Sequence, residues 1–331
     1  PARRTLMGQG SQTDKALDFS EINGQEAVKR AVEVAAAGFH HILMIGPPGS
    51  GKTMIAKRIP TILPDLSMEE SLEVSTIYSV AGQLDDRNAL ITKRPFLDPH
   101  HTISAQALAG GGRIPKPGAV SLAHRGVLFM DELPEFRRGT IEILRQPLED
   151  KRIHIARTSG SFVYPADFML VGAMNPCPCG HFPDRNKCTC SETEVKKYLS
   201  RISGPILDRI DVITQAPRVD IRQLSATMHN ESSADIRERV MGARERQNRR
   251  YRGTGYHFNA ELRAGDIRTY CPLGTEEQAM MEEIFTIMNL SARAYHKVIK
   301  VARTIADLDG KDDIGTAHLG EAVCYRMNDR N

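Results

Sequence analysis

The chain has 331 residues, of which 40% are hydrophobic and 26% are charged, and its formal net charge is +3. This composition excludes a disordered chain, and with no run of about eighteen apolar residues it argues against a helical membrane protein. The small net charge neither requires nor excludes a nucleic-acid partner, so local clusters of charge must decide. One hydrophobic core rarely serves more than about 300 residues, and we therefore expect more than one domain.

The first residues are polar and predict a linker over residues 1–18. No signal peptide opens the sequence, so we expect a cytoplasmic protein. The segments PARRT and QGSQTDK suit a connection to a preceding part of a longer protein.

The next elements surround a glycine-rich loop. Apolar residues recur at helical spacing from Phe19 to Gly38 and predict a helix with Gly38 as its C-cap. HILMI predicts a short buried strand, and TMIAKRI predicts a helix that ends at Pro60. GPPGSGKT lies between this strand and this helix, which is the context that a phosphate-binding loop requires.

A less regular stretch precedes the second core strand. A helix is predicted from about Ser67 to Ser79, and VLFM then predicts a buried strand that ends in Asp131 and Glu132. The chain between Lys52 and Asp131 is long for a connection between core strands, so we expect an insertion there.

Further strands and a helix complete the first domain. A helix is predicted from about Arg137 to Gln146, and RIHIA and FVY flank TSGS as a hairpin. FMLVGAMN predicts a third core strand. Strands that alternate with helices predict the α/β class, with a parallel sheet wrapped by helices.

Beyond about Pro217 the strand signals stop. Helical spacing, with caps at Asp235, Thr275 and Ser291, predicts a smaller all-helical domain. The predicted helices are DIRQLSATM, ADIRERVMGARERQNRR, TEEQAMMEEIFTIMN, SARAYHKVIKVARTIADL and TAHLGEAVCYRM. We therefore expect an α/β domain over residues 19–217 and a helical domain over residues 218–331.

The glycine-rich loop matches the pattern G-x-x-x-x-G-K-[ST] in full. Its glycines let backbone N–H groups turn toward phosphates, Lys52 supplies a positive charge, and the Thr53 hydroxyl suits Mg²⁺. The alternative is a chance glycine turn, which the flanking strand and helix disfavour. The predicted nucleotide-binding residues are Gly46, Pro47, Pro48, Gly49, Ser50, Gly51, Lys52, Thr53, Met54 and Asp131.

Two acidic residues follow the second core strand. Asp131 is predicted to hold Mg²⁺ opposite the triphosphate, and Glu132 to act as the base that polarises a water. A buried strand that ends in two acids is otherwise hard to explain, because unpaired buried carboxylates are costly.

Four cysteines lie within CPCGHFPDRNKCTC, at positions Cys177, Cys179, Cys188 and Cys190. Four thiolates complete a tetrahedral Zn²⁺ shell, so structural zinc is the favoured hypothesis and free thiols are the alternative. Cys271 and Cys324 lie on helical patterns and are expected to pack in the core. His100 and His101 have no ligand partner at a suitable spacing, so we expect them to pack in a loop.

Basic residues cluster in two loops. The insertion carries Arg113 and Lys116 close to flexible glycines, and Arg152, His154 and Arg157 lie near the predicted tip of the hairpin, together with Lys151. Flexible basic loops suit a phosphate backbone better than base edges. For each residue alone, a solvated charged face is the alternative. The predicted DNA contacts are Arg113, Lys116, Arg152 and Arg157.

Seven stretches together resemble the ComM (YifB) group of magnesium-chelatase-like AAA+ ATPases. They are DFSEINGQEAVKRAVEVAAAG, GPPGSGKT, RPFLDPHHTIS, GGGRIPKPGAVSLAHRGVLFMDELPEF, MNPCPCG, RISGPILDRID and SARAYHKVIKVARTIADL. The similarity extends from about Phe19 over nearly all of the chain. Members of the group carry a Lon-protease-like domain ahead of this region, so the resemblance implies that this chain lacks that domain.

The resemblance implies roles for three further residues. Asn175 matches sensor 1, Arg209 matches an arginine finger that reaches a neighbour's γ-phosphate, and Arg293 matches sensor 2 on the helical lid. It also implies that the insertion is a helix-2 insert and that the hairpin is a pre-sensor-1 hairpin, both directed into the channel of a ring. Without the family, Asn175 is an ordinary turn residue and each arginine an ion-paired surface residue.

The expected function is an ATP-hydrolysing ring motor that acts on DNA. The resemblance implies a hexameric helicase that promotes branch migration during recombination of incoming DNA in natural transformation. Two alternatives remain open, a magnesium-chelatase-like motor subunit that remodels a metal-inserting partner and a nucleotide-gated DNA-binding scaffold. ATP and Mg²⁺ are the expected cofactors.

Overall fold

A computed structural model of the chain describes residues 17–84, 90–112, 115–157, 160–218 and 230–327. Within these ranges an α/β part is followed by a helical part, which confirms the predicted fold class. Of the sequence predictions, Arg113 and the helix DIRQLSATM lie outside the described residues.

The main sheet is parallel, and its strand order is β2-β5-β8-β1-β9. Its strands in the described ranges are β1 (Ile42–Ile45), β2 (Phe96–Leu97), β5 (Val127–Met130), β8 (Met169–Met174) and β9 (Val212–Gln215). The three predicted core strands are confirmed as β1, β5 and β8. The sequence prediction missed β2 and β9, because two and four residues are too few to show a pattern.

Two antiparallel pairs lie outside the main sheet. They are β3 (Gly110–Gly111) with β4 (Lys116–Pro117), and β6 (Arg152–Arg157) with β7 (Gly160–Pro165). The second pair confirms the predicted hairpin. The Tyr164 hydroxyl on β7 donates to the carbonyl oxygen of Pro115 at 2.8 Å, so the hairpin packs against the insertion.

Helices cover both faces of the sheet. In the α/β part they are α1 (Glu26–Gly38), α2 (Lys52–Ile62), α3 (Met68–Ala81), α4 (Ala105–Ala109), α5 (Ala119–Leu122), α6 (Arg138–Glu142), α7 (Arg145–Asp150), α8 (Glu192–Leu199) and α9 (Gly204–Leu207), with 3₁₀ turns at Phe19–Glu21 and Leu133–Glu135. The helical part contains α10 (Ser233–Arg250), α11 (Ile267–Tyr270), α12 (Thr275–Ile287), α13 (Ala292–Leu308) and α14 (Thr316–Met327), with 3₁₀ turns at Asn259–Glu261 and Ala264–Asp266.

Three predicted helix boundaries were wrong. Helix α1 begins at Glu26 rather than Phe19, because Gly24 and Gln25 both have positive φ and interrupt the helix. Helix α2 continues through Pro60 to Ile62, since a proline this close to a helix end removes only one late hydrogen bond. The helix predicted over 137–146 is two short helices, α6 and α7.

The predicted caps were correct in part. Ser291 caps α13 through a hydrogen bond from the Ala294 N–H, as expected. Ser232, not Asp235, is the N-cap of α10, and the Asp235 carboxylate instead accepts from the backbone of Ser232. The C-cap of α1 is Phe39 with a φ of 56°, and Gly38 is the last helical residue.

The helical part packs against α1 and against the beginning of β9. Helices α10 and α13 both contact α1, and their apolar residues join one core cluster with residues of β1 and β8. The ammonium of Lys297 on α13 lies 2.6 Å from the carboxylate of Asp211, which directly precedes β9. None of the helices in the described ranges combines the length and apolarity that crossing a bilayer requires.

Candidate functional site

The glycine-rich loop follows β1 and leads directly into α2. Gly49 and Gly51 have φ values of 76° and 86°, which favour glycine. No atom lies within 4 Å of a Cβ added at either residue, so the space beside them is open. At Gly46 a Cβ would collide with the carbonyl oxygen of Ala216, so close packing requires this glycine. The loop therefore has the cradle shape that binds phosphate groups.

Lys52 is folded back over this loop. Its ammonium donates to the carbonyl oxygens of Gly46 at 2.8 Å and Pro47 at 2.9 Å, and the side chain of Asn175 lies at 3.4 Å. Burial lowers the pKa of Lys52, and the carboxylates of Asp131 and Glu132 oppose that shift. The structure thus brings the predicted lysine and the predicted sensor asparagine together at one end of the loop.

The predicted magnesium ligands are in direct contact. The Thr53 hydroxyl donates to Asp131 at 2.7 Å, and the other Asp131 oxygen accepts from the backbone N–H of Glu132 at 2.9 Å. A hydroxyl and a carboxylate are hard oxygen ligands of the kind that Mg²⁺ prefers. The residues present therefore fit a magnesium-bound nucleotide.

Glu132 is exposed and has a φ of 51°. The imidazole of His101 lies 3.6 Å from its carboxylate, and the ring of His100 stacks on His101 with centroids 4.0 Å apart. The expectation that the two histidines only pack in a loop was therefore incomplete, because His101 faces the predicted base. No local pattern shows this contact, since the two residues are on different segments.

Gln25 is a residue that the sequence analysis missed. Its side-chain amide donates to the carbonyl oxygens of Ser50 and Pro217, so it ties the glycine-rich loop to the segment after β9. Its other polar atom, Oε1, is buried without a partner among the described residues. In the sequence, only Gly24 directly before Gln25, which indicates a turn ahead of α1, could have drawn attention to Gln25. The side chain of Met54, which was also predicted to bind nucleotide, is 49% exposed.

Arg209 and Arg293 are not close to the glycine-rich loop. Both guanidinium groups pair with the carboxylate of Glu149, and the distance to Arg293 is 2.9 Å. All three residues line a cavity of about 420 Å³ together with His41 and Asp211. His41 and Asp211 directly precede β1 and β9, so this cavity lies at the amino edge of the sheet, whereas the glycine-rich loop lies at the carboxyl edge.

The basic loops are described in part. Lys116 and Arg152 are exposed, and no carboxylate in the described ranges lies within 4 Å of either. Lys151 and Arg152 were expected near the hairpin tip, but both lie at its base. Arg152 is opposite Pro165 in the β6–β7 register, and Lys151 pairs with Asp167 at 3.3 Å and Glu261 at 2.9 Å. The side chain of Arg157, like Arg113, is outside the described residues.

The four clustered cysteines converge on one point. Their sulfur atoms all lie within 4.8 Å of one another, and the Sγ of Cys177 lies 3.4 Å from that of Cys179 and 3.8 Å from that of Cys188. A tetrahedral metal with Zn–S bonds of about 2.3 Å separates its sulfurs by about 3.8 Å. A hydrogen bond from the backbone of His181 lowers the pKa of the Cys179 thiol to about 5. Against a backbone hydrogen bond with Cys179, desolvation and the neighbouring sulfurs raise the pKa of Cys190 to about 12. Metal binding by the four thiols would therefore release protons. The cluster therefore has the geometry and the donor set of a metal site.

Sequence comparisons place these features in a family. Residues 18–224 match the family described as magnesium chelatase, subunit ChlI, and residues 230–326 match its C-terminal family. The chain is 48% identical over 315 residues to the uncharacterized protein YifB of Escherichia coli, covering 95% of this chain and 61% of that protein.

The names of two further relatives refer to a function. The competence protein ComM of Haemophilus influenzae is 44% identical over 312 residues, covering 94% of this chain and 60% of the relative. The magnesium-chelatase 67 kDa subunit of Heliobacterium mobile is 27% identical over 232 residues, covering 61% of this chain and 34% of the relative. The chain spans about three fifths of the length of the YifB and ComM relatives.

Proposed function

The chain belongs to the family of magnesium chelatase subunit ChlI, and on this premise we propose that it is the ATP-hydrolysing part of a ring motor that acts on DNA. The observation that carries the proposal is the contact between Thr53 and Asp131 beside the lysine-closed glycine loop. This arrangement supports a phosphate cradle with an oxygen-lined cation position facing it.

In the proposed reaction the carboxyl edge of the sheet holds the nucleotide. The backbone of residues 46–53 and the Lys52 ammonium bind the phosphates, while Thr53 and Asp131 would hold Mg²⁺. When bound, Mg²⁺ neutralises charge on the phosphates. Glu132 accepts the proton of the attacking water, and the Asn175 amide orients that water.

We propose that Arg209 and Arg293 complete the site of a neighbouring copy. Their position at the opposite edge of the sheet supports this, because a ring places the carboxyl edge of one subunit against a different face of the next. An arginine supplied by a neighbour stabilises the charge of the transferred phosphate. We therefore propose a homo-oligomer, a hexamer when assembled, with domains that divide near residue 217.

The proposed DNA contacts are Lys116 and Arg152, together with Arg113 and Arg157. Among the described residues, Lys116 and Arg152 are exposed and have no carboxylate partner, which supports binding to a phosphate backbone. The name of the Haemophilus relative, a competence protein, supports a role in the recombination of incoming DNA, and we propose helicase or branch-migration activity for that role. The proposed location is the cytoplasm.

Strand displacement on forked and four-way DNA tests the function. We expect displacement that requires ATP and Mg²⁺, with ring-shaped particles in electron micrographs. Glu132→Gln should bind nucleotide and lower hydrolysis about 10²- to 10³-fold, because it removes the general base. Glu135→Gln is the matched control, since its carboxylate pairs with the exposed Arg201 instead. If Glu132→Gln displaces strands as well as the wild type, the chain is a nucleotide-gated scaffold and not a motor.

A second candidate is a motor subunit that remodels a metal-inserting partner. The similarity to the magnesium-chelatase subunit of Heliobacterium supports it. Stimulation of hydrolysis distinguishes the two functions. We expect forked DNA to raise turnover and a porphyrin-loaded partner to have no effect, and the reverse result would favour the chelatase function.

A further inference from the structure

The cysteine cluster is joined to the candidate nucleotide site by the chain itself. Strand β8 ends at Met174, Asn175 follows, and Cys177 comes two residues later. The Asn175 side chain lies 3.4 Å from the Lys52 ammonium. Cys177 is fully buried and only two backbone units separate it from Asn175. The position of Cys177 therefore constrains the position of Asn175.

The cluster also touches the glycine-rich loop from the other side. Gly180 lies between Cys179 and Cys188 in the chain, with a φ of 81°. A Cβ added at Gly180 would overlap the Cδ of Pro48 and lie 2.9 Å from its Cγ. The backbone of the cysteine segment therefore packs directly on Pro48, one of the residues that form the phosphate cradle.

Local turn hydrogen bonds and the four sulfurs hold this segment together, and most of its other side chains face solvent. Between Asn175 and Ser191 the chain forms turns and no helix or strand, and residues 183–187 are mostly exposed. Ordering one residue costs about 1–2 kcal/mol of conformational entropy, and so polar a segment buries too little to offset that cost. A metal bound by four thiolates supplies the missing free energy, as it does in small zinc modules.

We propose that a metal of the Zn²⁺ class, bound by Cys177, Cys179, Cys188 and Cys190, controls the affinity of the glycine-rich loop for nucleotide. The metal holds the cysteine segment against Pro48 and fixes Asn175 beside Lys52. The inference rests on the proposed nucleotide-binding function and adds its regulation. Because coupling between two sites is reciprocal, nucleotide should raise the affinity for the metal by the same factor.

Two variants separate the metal from the contact that transmits its effect. Cys188→Ser removes a ligand, and we expect loss of bound metal together with nucleotide affinity about tenfold weaker, a usual size for coupled sites. Gly180→Ala keeps all four ligands but pushes the segment away from Pro48, and we expect full metal content with similarly weakened affinity. Cys324→Ser is the matched control, because Cys324 lies outside the cluster and is exposed, so the expectation that it packs in the core was wrong.

The measurements are metal content by elemental analysis and affinity for a fluorescent ATP analogue with Mg²⁺. A zinc-selective chelator, followed by added zinc, repeats the comparison on the unmodified chain in case Cys188→Ser fails to fold. The coupling is overturned if metal-free and metal-loaded protein bind nucleotide equally well, or if the purified wild type takes up no zinc. If the metal-loaded wild type binds no nucleotide, the proposed function itself fails.

Discussion

The two edges of the main sheet present opposite kinds of polar site. At the carboxyl edge, Lys52 and Thr53 contact backbone oxygens and Asp131, and the glycines beside them face open space. At the amino edge, Arg209 and Arg293 share the carboxylate of Glu149, so both cations have a partner within the chain. The first edge has an open glycine cradle, whereas the second holds cations that a stronger anion could take. This difference supports the proposal that one chain contributes to two nucleotide sites in an assembly.

Arg209→Ala should have the largest effect, since it removes the group that we propose one subunit offers to the next. We expect hydrolysis by the assembled protein to fall about 10³-fold, while nucleotide affinity of the dilute single chain stays unchanged. Arg201→Ala is the control, because that arginine pairs with the exposed Glu135.

Mixing two inactive variants sharpens this prediction. Lys52→Ala chains still offer Arg209 to the intact cradle of Arg209→Ala chains, so the mixture should recover part of the hydrolysis. If the isolated Arg209→Ala chain binds nucleotide more weakly than the wild type, Arg209 contributes to the nucleotide site of the same chain. That result would contradict the proposal that Arg209 acts at the site of a neighbouring copy.

His41 lines the amino-edge cavity and should make the free energy of unfolding depend on pH. Its Nδ1 accepts from the Leu170 N–H at 3.1 Å, and burial lowers its pKa to about 4 from the ordinary value of 6.5. The unfolded chain takes up a proton below pH 6.5 and the folded chain does so only near pH 4. The free energy of unfolding should therefore fall by about 3 kcal/mol across this window as the pH drops.

Urea unfolding of the wild type and of His41→Asn measures this contribution. The asparagine keeps a hydrogen-bond acceptor but does not titrate, so the variant should lose less stability between pH 6.5 and pH 4. His154→Asn on the exposed strand β6 should follow the wild type. If the free energy of unfolding changes with pH in the same way for the wild type and for His41→Asn, folding does not lower the pKa of His41.

Glu149→Gln should have the smallest effect. Its exposed carboxylate competes with a neighbour's phosphates for both arginines, and exposed ion pairs contribute about 0–1 kcal/mol. We expect the protein concentration for half-maximal hydrolysis to fall by up to about fivefold. Glu142→Gln, which disturbs local interactions with Ser203 and Arg145, is the control. A higher half-maximal concentration would show that Glu149 positions the arginines rather than competing for them.

The sequence predicted best what short segments determine alone. The glycine loop and the strand before Asp131 follow from local spacing, and the structure brings Lys52, Thr53, Asp131 and Asn175 together as expected. It could not show that His101 faces Glu132 or that Gln25 bonds to Pro217, because such contacts depend on how distant segments pack. The sequence also could not show that Arg293 pairs with Glu149, since motif matching carries no information on how the helical part packs.

Gln25 links the glycine-rich loop to the segment that follows β9. One amide group bridges the carbonyl of Ser50, inside the cradle, and that of Pro217, at the exit from the sheet toward the helical part. If the segment at Pro217 rotates, either the hydrogen bonds of Gln25 break or Ser50 moves with that segment. The Gln25 side chain therefore couples the position of the segment at Pro217 to that of the glycine-rich loop.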